Sequence, residues 1–136
     1  MSDPFIGTWK LNSERCEFDP NHRPRSGTLV FERDGEGRYV MKAEGTAANG
    51  QRVVERPQTF VPDGEARPIA DFPGLRTRAT QPSPRELHAR CEREDGSLVG
   101  EGTYVVSPDA MSLTATAAGF DTQLRRFETR TVWDRA

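Results

Sequence analysis

Few side chains in this chain have the chemistry to act on a substrate unaided. Its 136 residues include two histidines, His22 and His88, and two cysteines, Cys16 and Cys91. A protein metal site needs three or four of Cys, His, Asp and Glu to converge. These four residues show no ligand spacing, so no metal is expected. His22 falls in a proline-rich connection. His88 alternates with Leu87 and Ala89 and sits beside Arg90 and Glu92, which reads as an exposed histidine on a strand, with a general-base role as the rival reading. Cys91 shares an apolar face with Leu87 and Ala89 and reads as a small buried hydrophobe rather than a nucleophile. A Ser-His-Asp set is compatible with any order in the chain. There is, however, no nucleophile elbow, phosphate loop or dinucleotide fingerprint. No catalytic residue is assigned, and no cofactor is expected.

Charge offers more. The chain carries 19 basic and 21 acidic residues, a net charge of -2, with a pI near 5.7. Nothing in that balance draws the whole molecule toward nucleic acid or a membrane surface. Only Lys10 and Lys42 are lysines, which leaves 17 arginines among the 19 basic residues. Arg76, Arg78, Arg85, Arg90 and Arg93 cluster over two neighbouring stretches, with Arg125, Arg126 and Arg130 as candidate additions. One reading is an anion or single-strand nucleic-acid stripe. The other is cross-strand pairing with Glu86, Glu92, Glu94, Glu101 and Glu128. Interleaved aromatics are missing, which argues against nucleic acid as a partner.

Turn signals recur along the chain: Asp34-Gly35, Asn49-Gly50, Asp63-Gly64, Asp95-Gly96 and Pro108-Asp109. Between them lie runs rich in Val, Thr, Phe and Tyr, the pattern of an antiparallel meander. The expected strands are 5–11, 27–33, 38–46, 51–61, 67–71, 75–81, 86–93, 98–107, 111–117 and 122–134. The connection from Asn12 to Ser26 holds Pro20 and Pro24 and accommodates a turn or two of helix at most. The fold class is therefore all-β, a single antiparallel up-and-down barrel of about eight to ten strands, one domain over residues 1–136. Closure removes the sheet edges, and a barrel of this size has room for one small ligand. A two-sheet sandwich is the rival architecture.

In the stretch Phe5-Ile6-Gly7-Thr8-Trp9-Lys10-Leu11, the residues Phe5, Gly7, Trp9 and Leu11 share one face of an extended strand. Gly7 removes a side chain two positions before Trp9, so another backbone can approach closely. Trp9 is large enough to plug a barrel end. Gly7-Thr8-Trp9-Lys10-Leu11-Asn12 resembles the first-strand signature of lipocalins and fatty-acid-binding proteins. Pro24-Arg25-Ser26-Gly27-Thr28-Leu29-Val30-Phe31-Glu32, Asp95-Gly96-Ser97-Leu98-Val99-Gly100, Val105-Val106-Ser107-Pro108-Asp109 and the ending Val132-Trp133-Asp134-Arg135-Ala136 extend the match. The chain resembles small bacterial lipocalin-like proteins of unassigned function, within the calycin superfamily. The resemblance implies a lipocalin-like barrel, and an arginine of the last strand set against the first-strand tryptophan. Arg126 and Arg130 are the candidates, and Arg130 is preferred. Fatty-acid-binding relatives also end in an Arg-x-Tyr carboxylate clamp. Here Thr131 and Trp133 take those positions and Arg130 lies on the opposite face, so the clamp is not reproduced.

Alternation groups candidate inward residues as Leu29 with Phe31, Tyr39 with Met41 and Ala43, and Leu87 with Ala89 and Cys91. Further sets are Met111 with Leu113, Ala115 and Ala117, then Gly100 with Gly102, Tyr104 and Val106, and Phe127 with Thr129, Thr131 and Trp133. Segment 51–61 is polar on both faces, as suits an edge strand or one facing a wet cavity; in the second case Arg56 and Gln58 give polar contacts and Phe60 an apolar one. Phe72 is expected to tuck into the core. The residues expected to meet a ligand are Tyr39, Met41, Arg56, Phe60, Tyr104, Phe127 and Trp133. The expected function is binding of a small hydrophobic or amphipathic molecule inside the barrel, as carrier or buffer. The alternatives are a small barrel enzyme (isomerase, cyclase or lyase) using His88 or an interior carboxylate, and a structural barrel filled by its own side chains. Two cysteines make no disulfide framework, the start Met1-Ser2-Asp3-Pro4 lacks the basic and apolar regions of a signal peptide, and no stretch approaches the length of a membrane helix. A cytoplasmic protein without membrane insertion, monomeric or homodimeric, is the expectation.

Overall fold

The computed structural model describes residues 3–17, 26–55, 57–69, 72–120 and 125–136. Among them, eleven strands form one antiparallel sheet. They are β1 (Gly7–Leu11), β2 (Ser26–Arg33), β3 (Tyr39–Thr46), β4 (Arg52–Val54), β5 (Gln58–Phe60), β6 (Arg67–Pro68), β7 (Leu75–Ser83), β8 (Glu86–Arg93), β9 (Leu98–Val106), β10 (Ser112–Phe120) and β11 (Arg126–Arg135). A single 3-10 turn, Ser13–Arg15, follows β1. Neighbours in the sheet run β4-β3-β2-β1-β11-β10-β9-β8-β7-β6, an up-and-down order in which the first and last long strands also pair. The barrel fold is the one expected from the meander pattern.

The turn residues act through a common mechanism. Asp34, Asn49, Asp63, Asp95 and Asp109 each accept, on the side-chain Oδ1, the backbone N–H two residues on, at 2.9–3.0 Å. The Asx bond bends the chain locally, and the strands on either side then pair.

The remaining seam, between β3 and β7, is crossed by the chain itself. β5 pairs with β3 through Tyr39↔Phe60 and Met41↔Gln58. A few residues later Asp63 bridges Thr80, and the Gly64 N–H donates to the Ala79 carbonyl at 2.8 Å.

Segment 51–61, expected as one strand, is divided. β4 pairs with β3 through Gly45↔Val53 and Glu44↔Val54, and β5 through Met41↔Gln58 and Tyr39↔Phe60. Pro57, just before β5, has no N–H to give a ladder. The residues that share the inward face of β3 therefore change parity between the two strands, from Val53 in β4 to Gln58 and Phe60 in β5. That change is why the segment looks polar on both faces when read as a continuous strand.

Where the first and last strands meet, Trp9 pairs with Arg135. The Arg135 guanidinium lies 3.8 Å from the centre of the Trp9 ring. It also donates to the carbonyls of Ala110 at 3.1 Å, Ile6 at 2.9 Å and Pro4 at 2.6 Å. Neither Arg126 nor Arg130 makes this contact. Arg130 faces outward and pairs with Glu17. Gly7 supplies the room: a Cβ there would lie 2.8 Å from the Arg135 Nη1, and its φ of +133° is a conformation that side chains rarely adopt. Trp9 is 0 % exposed and donates from Nε1 to the Phe5 carbonyl at 3.1 Å.

Two other expectations are corrected. Met111 is 57 % exposed because it sits in the turn after Asp109, before β10 begins. Phe72 is 53 % exposed, in a loop closed by its own backbone bonds to Ile69 and Leu75, which leave its ring outside.

The Arg135–Trp9 contact gives two expected outcomes in urea or thermal unfolding. Trp9→Ala lowers stability by about 3–5 kcal/mol, the cost of emptying a large buried site. Arg135→Lys keeps the charge and lowers stability by about 1–3 kcal/mol, because an ammonium neither stacks on the indole nor reaches three carbonyls at once.

Candidate binding cup in the barrel interior

The inward face changes character from one end of the barrel to the other. At the end where the chain begins, Phe5, Trp9, Phe31, Tyr39, Leu87 and Leu113 are all 0 % exposed. Phe5, Phe31 and Tyr39 meet edge-on or tilted, with ring centres 5.4–6.4 Å apart. Such arrangements suit the quadrupoles of the rings.

A polar network seals this end. The Tyr39 hydroxyl donates a short bond to the Asp3 carboxylate. It accepts from Arg33 Nη2 and Gln81 Nε2, both at 3.0 Å. Arg33 also bonds Asp3 at 2.6 Å and stacks over the Tyr39 ring at 4.3 Å. The Asp3 carboxylate takes the Phe5 N–H at 3.0 Å as well. The N-terminal segment is thereby tied across the barrel bottom.

Toward the other end the inward residues become small. The register links Gly27 to Gly45, Ala117 to Gly102 and Thr129, Gly119 to Gly100, and Ala115 to Tyr104 and Thr131. Some of these glycines are required by the strand spacing: a Cβ on Gly45 would lie 2.4 Å from the Ser26 carbonyl oxygen, and one on Gly119 would lie 2.9 Å from that of Val99. Ala43, Ala89, Ala115, Ala117, Thr129 and Thr131 point inward and still keep accessible surface. Packed aromatics fill the end at Trp9, and short side chains that keep some accessible surface line the other end, which is the candidate binding cup.

Tyr104 stands at the boundary. Its ring packs on Phe31 and Phe60, with centres 5.9 and 6.1 Å away. Among the described residues its hydroxyl has no hydrogen-bond partner, and Tyr104 retains accessible surface. Burial, and then the negative charge of Glu55, push that hydroxyl up to about 12. Glu55 stands opposite Ala43, held by its N–H to the Ala43 carbonyl at 2.9 Å. Trp133 lies on the wall, its Nε1 donating to Thr131 Oγ1 at 2.9 Å and the threonine in turn to the Ala115 carbonyl at 3.3 Å.

The residues expected to meet a ligand are spread over these levels. Tyr104 and Trp133 line the cup, with Met41 and Phe60 buried beneath or beside Tyr104. Tyr39 lies deeper, with its hydroxyl committed to the sealing network. Phe127 is at the rim and 39 % exposed. Arg56 lies outside the described residues, as does His22. Glu55 was absent from the expected set because the inward parity changes between β4 and β5.

On the outer surface, His88 pairs with Thr80 and Thr103, 3.5 Å from Glu86, and faces away from the cup. A groove of about 490 Å³ runs over the outside of β7 and β8, between Arg76, Arg78, Arg90 and the acidic Glu92, Glu94 and Asp95. Glu92 is 5 % exposed and meets Arg78 at 3.1 Å and Arg90 at 3.7 Å. The arginine cluster is thus interleaved with acids across the strands. Cys16 and Cys91 form no disulfide, and the Cys16 thiol bonds the Asn12 carbonyl at 3.1 Å. Among the described residues no group of His, Cys, Asp and Glu is placed to hold a metal, and no helix is long and apolar enough to cross a membrane.

No family model matches the chain. A 60-residue stretch is 37 % identical to the large ribosomal subunit protein uL2 of two Shewanella strains. That stretch is 44 % of this chain, and the match spans about a fifth (21 %) of the ribosomal protein's length. Among solved structures, the chain is similar over its whole length to the fluorescent protein UnaG, with a TM-score of 0.56, 16 % identity and complete cover of both chains. It is similar to zebrafish ileal bile acid-binding protein complexed with cholic acid, with a TM-score of 0.59 and 12 % identity over 98 % of this chain and 99 % of that one. It is also similar to As-p18, an extracellular fatty acid binding protein, with a TM-score of 0.53 and 15 % identity over 98 % and 97 % of the two chains. The fold is the calycin barrel.

The chain has two tyrosines, and both are held protonated, each pushed up to about 12 chiefly by burial. Their folded values lie above the ordinary value of 10.0, so their contribution to stability is complete below pH 10 and is lost as pH rises through about 12. The expected outcome is alkaline unfolding in that window. Tyrosinate absorbance in the native protein should lag that of the urea-unfolded chain, and a coincident titration of the two states would contradict this placement.

Proposed function

We propose that this protein binds a small hydrophobic or amphipathic molecule in the open half of its barrel and serves as its carrier or buffer. The observation that carries this reading is the contrast along the inward face. Side chains fill the end at Trp9 and Tyr39, whereas glycine, alanine and threonine leave accessible interior surface beyond Tyr104. Apolar walls with a few placed polar groups are the usual composition of a small-molecule site. In this reading Tyr104 and Trp133 supply contact area and polar tips. Met41 and Phe60 support the floor, Phe127 guards the rim, and Tyr39 acts from below through packing. Arg56 is a further proposed polar contact.

The structural neighbours support the reading by analogy of fold, since two of them carry bile-acid or fatty-acid binding in their descriptions. The proposed setting is a reducing one, the cytoplasm, which suits two cysteines that are not joined in a disulfide. The proposed unit is one barrel domain, working as a monomer or a homodimer.

Native mass spectrometry of protein purified without denaturation, followed by extraction, tests the proposal. A stoichiometric bound molecule of apolar character is the expected result. Ala117→Leu, which adds bulk between Gly102 and Thr129, is expected to reduce uptake at least about tenfold without lowering the melting temperature, since it fills space rather than removing contacts. Undiminished uptake would place the ligand elsewhere.

A further inference from the structure

The polar groups of the cup are sparse enough to define what kind of head group they accept. Resting on the proposal that the cup is the binding site, we infer that its ligand is uncharged and presents a hydrogen-bond acceptor, such as a carbonyl or ring nitrogen, to the Tyr104 hydroxyl.

Three observations carry this. First, the Tyr104 hydroxyl is held in place by ring packing against Phe31 and Phe60 yet has no hydrogen-bond partner among the described residues. A phenol remains a donor at neutral pH, and Tyr104 keeps accessible surface, so this donor is open to an acceptor on a ligand. Its neighbour Gly102 has no side chain to offer one, and a Cβ there would sit 3.4 Å from the hydroxyl oxygen.

Second, among the described residues the charge that reaches this hydroxyl is negative. Glu55, an exposed residue opposite Ala43, adds its negative charge to burial in opposing ionisation of Tyr104. A carboxylate or sulfonate head brought to the same place meets the same opposition.

Third, the described arginines of the inward register are committed elsewhere. Arg33 is bound to Asp3 at the sealed end, Arg135 to three carbonyls beside Trp9, and Arg67 to Asp63. Arg93 shares the face of Cys91 but bonds Ser97 at 3.3 Å at the far rim. It stands six residues along β8 from Leu87, the partner of Tyr104, a separation of roughly 20 Å at the usual strand rise. The Tyr104 level therefore offers a donor and an acid, with no described counter-charge for an anion.

Fluorescent probes of one ring system separate the possibilities. Prodan is an uncharged naphthalene ketone. Phenylnaphthylamine is uncharged, and anilinonaphthalene sulfonate is the same skeleton carrying an anion. Expected are blue-shifted prodan emission on binding, affinity for the sulfonate at least about tenfold below that for phenylnaphthylamine, and a gain of sulfonate binding in Glu55→Gln. Tyr104→Phe, which keeps the ring, is expected to weaken prodan about fivefold or more while leaving phenylnaphthylamine and the melting temperature near the parent values. Sulfonate binding at parity with its uncharged twin, or prodan binding untouched by Tyr104→Phe, overturns the inference and leaves the cup intact as a site. Failure of all three probes to bind overturns the proposed function, and the head-group preference falls with it.

Discussion

The structure depends on one contact, the Arg135 guanidinium laid over the Trp9 ring. An up-and-down sheet becomes a barrel only when its first and last strands pair, and β1 is five residues long. A ladder that short holds few hydrogen bonds of its own. Arg135 supplements it by reaching past the ladder to Pro4, Ile6 and Ala110, so one side chain joins the segment before β1, the last strand and the turn before β10. The planar fork of arginine allows stacking and donation at the same time. Gly7 is the concession in sequence that this geometry demands: any larger residue would occupy the place of the guanidinium.

From that contact the rest of the interior follows in order. The chain start is held across the barrel, so Phe5 and Asp3 can seal it, the first by ring packing and the second through Arg33 and Tyr39. With stability concentrated at that end, the opposite end is free to be lined by residues that bury little. Glycine and alanine in facing positions contribute almost nothing to a hydrophobic core. They let strands approach closely and leave space inside. A barrel optimised only for stability would place leucine and valine at such positions. The division between a stable end and an accommodating end is a common bargain between folding and function.

Much of this was readable in the residues, and the part that was not has a physical cause in each case. Alternation identified the inward faces of β2, β3, β8, β9, β10 and β11, because a two-residue period survives wherever a strand is regular. The same parity contained the answer to the Trp9 partner. Thr131 and Trp133 were read as inward, and Arg135 shares their face, whereas Arg126 and Arg130 do not. The resemblance to the superfamily suggested a last-strand arginine, and only the pairing of Trp9 with Arg135 chose among the four near the C-terminus. The segment from Gln51 to Val61 was unreadable for a different reason. The inward parity differs between β4 and β5, and a pattern averaged over the whole segment cancels. Met111 and Phe72 failed as core residues because apolar character alone does not say whether a turn carries the side chain outward.

The same change of parity bears on what the barrel can hold. It sets Glu55 opposite Ala43, from where its charge acts on the Tyr104 hydroxyl. Solved barrels of the same shape include some described as fatty-acid or bile-acid binding, but shape is shared more widely than chemistry. In this chain the last strand ends in Thr131 and Trp133, and those two satisfy one another rather than a ligand carboxylate. An acid-binding role would need a cation near Tyr104, where the described charge is that of Glu55. The barrel shape is shared with those proteins, and the head-group preference proposed for this chain rests on its own side chains instead.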